Sequence, residues 1–302
     1  MRHLIAGIFS LLAAIIANAP AAGSAERANE ESGTERIVSI GGDVTEILYA
    51  LGFGDRIAAV DTTSKFPADA LKDKPNVGYM RALSAEGVLS LAPTLILASE
   101  GAGPPDAVRA LKSASISYIE VPSDDTPEGI ATKITRLGSA VGREVEAAKL
   151  AEAVRAGFNK IAGLRKRITA RKRVLFILNA TTDRMIVGGK GTSAEAVLEL
   201  AGADNAADGI GGYKPITPEG LVAMKPDAIV VMSGGRQGQG AKEVSEHRAV
   251  KLTPAGSVAQ PLIREMDGGY LIGFGPRAPE AVHELLDWLY PKLGSKAEGG
   301  KS

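Results

Sequence analysis

The sequence predicts an α/β fold of two Rossmann-like lobes, each a parallel sheet covered by helices, joined by one long helix. Three features carry that reading. Short β-branched runs alternate with helical patterns from Arg36 onward, as parallel strands with helical crossovers require. A proline-free segment from Arg143 to about Ile168 places Ala147, Ala151, Val154, Phe158 and Ile161 at helical spacing. The order of elements before that segment then starts again after it.

The chain opens with Arg2 and His3, an apolar run from Leu4 to Ala17 broken only by Gly7 and Ser10, and then small residues. This reads as a secretory signal peptide over 1–25, because the run is shorter than the ~20 apolar residues that cross a bilayer. A retained anchor is the competing reading, but no basic stop-transfer cluster follows. Residues 26–35 are small and polar, which predicts a disordered lead-in. The first lobe is placed at 36–142. Within it Arg36-Ile-Val-Ser-Ile40 predicts a strand, Gly41-Gly42 a turn, and Val44 to Leu51 a helix stopped by Gly52. Further strands are predicted at Ile57 to Val60, Leu95 to Ala98 and Tyr118 to Val121, with helices from about Ser84, Asp106 and Pro127.

The connecting helix occupies 143–168, roughly 39 Å at its usual rise. The second lobe, 169–293, restarts with a strand at Val174 to Leu178 and a helix at Ser193 to Leu200 closed by Gly202. Residues 294–302 are read as a disordered tail. Ser84-Ala-Glu86-Gly87 followed by Pro93 recurs as Thr217-Pro-Glu219-Gly220 followed by Pro226 and the apolar run Ile229 to Met232; glutamates and prolines alike lie 133 residues apart.

At 302 residues and 45% hydrophobic content the chain can bury a large core. It contains no cysteine, so neither a disulfide nor a cysteine-linked lipid is available to it. Lys+Arg and Asp+Glu number 35 each, and without Arg2 of the leader the net charge is about −1. No global field therefore steers the protein to nucleic acid or an anionic membrane, and the mature chain is expected to be a monomer that does not insert into a bilayer. Catalytic signatures are missing: there is no Gly-x-Ser-x-Gly elbow and no phosphate-binding Gly-x4-Gly-Lys-Ser/Thr. Gly189-Lys-Gly191-Thr-Ser-Ala194 fits the relaxed dinucleotide pattern, yet a Gly-, Asn- and Asp-rich loop follows its helix where the pattern needs a strand ending in an acid, so a plain turn explains it better. With three histidines, one of them in the leader, a dedicated transition-metal cage is not expected.

Asn76-Val-Gly78-Tyr79-Met80-Arg81 lies just before the helix that Ser84 caps, which puts Tyr79 at the end of the first lobe that faces the second. A phenol ligates poorly at its free pKa of ~10, but ferric iron and a neighbouring guanidinium both favour the anion, and tyrosine is an axial haem ligand elsewhere. From the residues alone, a tyrosine packed in a loop accounts for the segment better than a ligand does. Glu86 and Glu219 each sit in the first turn of a helix, where an acid complements the helix dipole. Their recurrence at matched positions also suits docking across a two-fold partner.

Taken together, Ile40-Gly-Gly-Asp-Val-Thr-Glu46, Val77-Gly-Tyr-Met-Arg-Ala-Leu-Ser84, Gly189-Lys-Gly-Thr192, Met232-Ser-Gly-Gly235 and Gly273-Phe-Gly-Pro-Arg277 resemble the periplasmic haem-binding proteins of bacterial haem ABC importers. These are helical-backbone periplasmic binding proteins, in a wider group that also binds ferric siderophores and cobalamin. The resemblance covers about Arg36 to Trp288. It implies a non-enzymatic periplasmic carrier, exported through a cleaved signal and not lipid-anchored, that delivers haem to a permease dimer with its ATPase. It further implies Tyr79 as axial iron ligand, Arg81 as its support, and Glu86 and Glu219 as contacts to permease arginines. Where some members add a histidine from the second lobe, this chain reads Asn179-Ala-Thr-Thr, so the resemblance implies five-coordinate iron or a water as the sixth ligand. Lys214, Arg236 and Arg277 are candidate propionate partners by charge and loop position. The alternatives are a siderophore- or cobalamin-binding protein of the same fold and, from another class, an exported α/β hydrolase.

Overall fold

The β-branched run Ile37–Ile40 forms strand β1, buried along its whole length, and the glycine turn after it leads into helix α1 (Gly42–Ala50). Strand β2 (Ile57–Val60) and the short helix α2 (Ala68–Asp73) follow, then α3 (Ala85–Leu89), β3 (Leu95–Ser99), α4 (Pro105–Ser113), β4 (Ser117–Val121) and α5 (Pro127–Ala140). The four strands form one parallel sheet in the order β2-β1-β3-β4. This computed structural model describes residues 35–181, 184–233 and 240–294. The signal peptide, nearly all of the lead-in and tail, and Arg236 lie outside the described residues.

Helix α6 (Glu144–Arg165) is the long connector, 22 residues or roughly 33 Å. It ends three residues before the periodicity predicts. Lys166 caps it and a turn follows, the backbone N–H of Ile168 donating to the Arg165 carbonyl at 3.0 Å. The second half then runs β5 (Arg173–Ala180), β6 (Met185–Gly188), α7 (Ser193–Leu200), β7 (Asp204–Asn205), β8 (Tyr213–Ile216), α8 (Pro218–Met224), β9 (Ala228–Ser233), α9 (Ala241–Glu246), α10 (Arg248–Lys251), β10 (Ile263–Asp267), α11 (Gly268–Ile272) and α12 (Ala278–Leu289).

The second sheet corrects the expectation of two parallel sheets. Its order is β10-β9-β5-β6-β8, with β7 on β5 as well. β10, β9, β5 and β7 are parallel, but β6 pairs antiparallel with both β5 and β8. The cause is the length of β5, eight residues where β1 has four. Its first residues take β7 as a parallel partner, as β1 takes β2, and its last residues, Ile177 to Ala180, are left to pair with a returning hairpin strand.

The internal repeat is visible in the backbone. Ala92 and Lys225, 133 residues apart and each just before a proline, share the left-handed value φ 47°. β3 and β9 begin at residues with the same spacing. Helices α1 and α7 both close on a left-handed glycine, Gly52 at φ 80° and Gly202 at φ 78°, with the same pair of reversed hydrogen bonds. The halves nevertheless share a core. One apolar cluster joins Ile47, Leu48, Ile130 and Ile134 to Phe158 of α6 and to Val174, Val197, Leu285 and Leu286. Arg36 onward accordingly forms a single compact unit. Among the described residues no helix is long and apolar enough to cross a membrane.

Candidate functional site

Ligand sites in open α/β sheets collect at the carboxyl ends of parallel strands, and the structure places Tyr79 there. Residues 75–78 run alongside the end of β2: Val60 donates to the Pro75 carbonyl and Val77 back to that of Val60, each at 2.9 Å. Just past the strand, the Thr62 N–H donates to the Gly78 carbonyl at 2.9 Å. Gly78 holds φ 93°, a region closed to most side chains, and its N–H donates to Asn76 Oδ1 at 2.8 Å. Beyond Tyr79 the chain is pinned to the loop after β3 by Gly103 N–H to Met80 O and Leu83 N–H to Gly103 O, both 2.8 Å. The backbone of Tyr79 is thus fixed on both sides while its side chain remains 44% exposed. Arg81, two residues on, is also exposed. Among the described residues no hydrogen bond joins its guanidinium to the Tyr79 phenol.

The glycine-rich segment after β1 organises that edge. Gly41, at φ 112°, donates its N–H to the fully buried Asp61 at 2.9 Å, and Gly42 donates to Thr63 Oγ1 at 2.9 Å. A Cβ at Gly42 would stand 2.4 Å from the Thr63 carbonyl oxygen, so the approach requires glycine. Asp43 accepts from Ser99 Oγ at 2.5 Å and pairs with Lys133, whose side chain is 1% exposed. A buried cation of this kind is tolerable only with its partner in place. Nearby Asp125, between β4 and α5, is held above the usual carboxylate range by burial, which a hydrogen bond from Ser193 and the charge of Lys133 partly offset.

The last residue of the segment, Glu46, reaches the second half. Its carboxylate accepts the Arg277 backbone N–H at 3.1 Å and Arg277 Nη2 at 2.8 Å. The Arg277 guanidinium lies 3.5 Å from the centroid of the Phe66 ring and 5.1 Å from that of Tyr270. Arg277, read in the sequence as a candidate propionate partner, is here paired with a carboxylate only 8% exposed, and its flat face is covered by an aromatic ring. Two segments singled out in the sequence, 40–46 and 273–277, therefore bind each other. Phe66 itself carried no sequence signal beyond being an aromatic in a loop.

Lys214 is exposed on β8, opposite Val187. Glu86 and Glu219 stand exposed in the first turns of α3 and α8, whose caps match: Ser84 Oγ and Thr217 Oγ1 each accept a glycine N–H at 3.1 Å. The Gly189 to Ala194 stretch is a helix cap, with Thr192 Oγ1 accepting the Glu195 N–H at 3.2 Å and Glu195 accepting that of Gly191 at 2.7 Å.

The family model described as periplasmic binding protein matches residues 37–259. The uncharacterised ABC transporter substrate-binding lipoprotein YvrC of Bacillus subtilis is 30% identical over 85% of this chain and 80% of its own. A vitamin B12-binding protein of Yersinia pestis is 30% identical over 68% of this chain and 71% of its own. Among solved structures, the periplasmic heme-binding protein RhuT from Roseiflexus sp. RS-1 superposes with a TM-score of 0.80 at 36% identity, covering 86% of this chain and all of that one.

Proposed function

The chain belongs to the periplasmic binding protein family, and from that premise we propose that it is a periplasmic carrier that captures ferric haem and hands it to an ABC importer. The lobes are those read at 36–142 and 169–293, with the ligand held where the carboxyl ends of their strands meet. Tyr79 is the observation that carries this reading: a phenol left 44% exposed on a backbone pinned from both sides, in a chain 36% identical to a heme-binding protein of the same fold. Its oxygen binds iron as the phenolate, and Arg81, two residues along the same loop, supplies the positive charge that favours the anion. Among the charged candidates for the propionates, Lys214 is exposed and without a carboxylate partner among the described residues, whereas Arg277 is taken by Glu46. Glu86 and Glu219 form the matched acidic pair that meets the permease of the importer. The protein is exported through residues 1–25, and, unlike the YvrC lipoprotein, has no cysteine to carry a lipid. It carries its ligand without transforming it.

Cobalamin is the second reading, favoured by the identity with the vitamin B12-binding protein. Titration of the purified protein with hemin separates the two. Haem capture gives a saturable Soret band of ferric tyrosinate type, weakened ~100-fold or more in affinity by Tyr79→Ala, since loss even of the groups that orient a metal's ligands costs ~10- to 100-fold. Saturable cyanocobalamin binding with no hemin response would assign the cargo to the other reading.

A further inference from the structure

Among the described residues Phe66 is one of the few large apolar side chains left exposed, at 44%. It stands in the loop after β2, four residues beyond the Thr62 N–H that ties down Gly78, the neighbour of Tyr79. The two exposed rings therefore sit on loops joined by a backbone hydrogen bond at the same sheet edge. One face of the Phe66 ring is covered by the Arg277 guanidinium at 3.5 Å, and Tyr270, on the helix that directly follows β10, lies on the same guanidinium at 5.1 Å. The Phe66 loop follows the carboxyl end of β2 and Arg277 lies beyond the helix α11 that follows β10, so this stack joins a segment of the first half to one of the second. Glu46 cancels the arginine charge with two hydrogen bonds, which leaves an apolar, rigidly backed aromatic side chain on the loop tied to that of Tyr79.

Building on the haem assignment, we propose that Phe66 is a specificity residue of the ligand site, a wall against which the flat face of a porphyrin packs, and that Arg277 is the positioning residue that holds it there. A macrocycle whose iron is bound by Tyr79 extends several ångströms in its own plane, and aromatic surfaces pack on such a π-system in offset or edge-on contact. A guanidinium stacked behind the ring fixes its plane by a cation–π interaction before ligand arrives. The ion pair with Glu46 accordingly serves recognition of the macrocycle's face and leaves its carboxylates to other groups.

The test uses two probes, hemin and metal-free protoporphyrin IX, with the wild-type protein and Phe66→Ala, Phe66→Trp and Tyr79→Ala. Wild type binds both. Phe66→Ala weakens both probes about tenfold, the scale of an aromatic contact with its buried area, while the hemin complex keeps its tyrosinate-type Soret position and the melting temperature stays close to wild type. Phe66→Trp restores most of the loss because it restores a flat ring. Tyr79→Ala weakens hemin far more than protoporphyrin. Unchanged affinity of Phe66→Ala for both probes overturns the inference while leaving the haem reading intact; if that variant also transports poorly, the ring serves the permease instead. Failure of the wild type to bind either porphyrin overturns the inference together with the haem assignment.

Discussion

Individual side chains here are perturbed mainly by burial. Tyr118 in β4 is the clearest case: its hydroxyl is buried without a hydrogen-bond partner among the described residues, and its pKa is pushed up to about 12, first by desolvation and then by the charge of Glu120. The folded value lies above the ~10 of an unfolded chain. Its contribution to stability is therefore complete below pH 10 and is lost as pH rises from 10 through 12. Urea unfolding of Tyr118→Phe should show a gain of about 1 kcal/mol at pH 7, from removing an unpaired hydroxyl, and a shallower loss than wild type between pH 10 and 12. Parallel pH profiles for the two proteins would contradict this account. Residue chemistry of this kind is partly legible without a structure. Tyr79 stood out because its segment leads into the helix that Ser84 caps and Arg81 follows it, whereas the burial of Lys133 beside Asp43 left no local trace, because 90 residues separate the partners.

At the scale of elements, the repeat is a physical constraint shared by two helix ends. Ala92 and Lys225 are exposed, left-handed at φ 47°, and each precedes a buried proline that starts the approach to a central strand. A side chain with a Cβ is strained there, and glycine is not. Ala92→Gly and Lys225→Gly should each raise stability by about 0.5–1 kcal/mol, read as higher denaturation midpoints of the single variants. A gain at only one site would show that the halves have diverged in strain despite equal geometry. Strand positions and helix starts were legible because period-2 and period-3.6 patterns and Gly or Pro stops act within a few residues: the prediction of Ser193 to Leu200 and the helix α7 coincide. The antiparallel strand β6 escaped because Met185-Ile-Val-Gly188 is short and its partner is set by how far β5 overruns β7.

For the whole molecule, the shared core makes the two halves one compact body, and each half repeats the same capped acidic helix start. Glu86 and Glu219 are exposed, identically capped and placed in the first turns of equivalent helices, so the proposed permease contact is symmetric in origin. Replacing both by glutamine should leave hemin affinity unchanged and lower uptake by a reconstituted importer roughly tenfold or more, the cost of unpairing charges at an interface. Retained uptake would remove the pair from the docking surface. The contact of Glu46 with Arg277 spans 231 residues and joins α1 to the loop before α12, which couples the glycine-rich segment at 40–46 to the second half.

By itself the sequence determined the α/β class, the positions of most strands and helices, the 133-residue repeat and the loop that carries Tyr79. Each of these follows from forces that act along the chain: side-chain periodicity, capping hydrogen bonds and the few residues that tolerate special backbone angles. Only the tertiary structure decided that the second sheet is mixed, that Arg277 pairs with Glu46, and that Phe66 stacks on Arg277. Those outcomes depend on which groups meet once distant segments close on one another, and the pairing energy of a carboxylate, a guanidinium and a ring is available only after that closure.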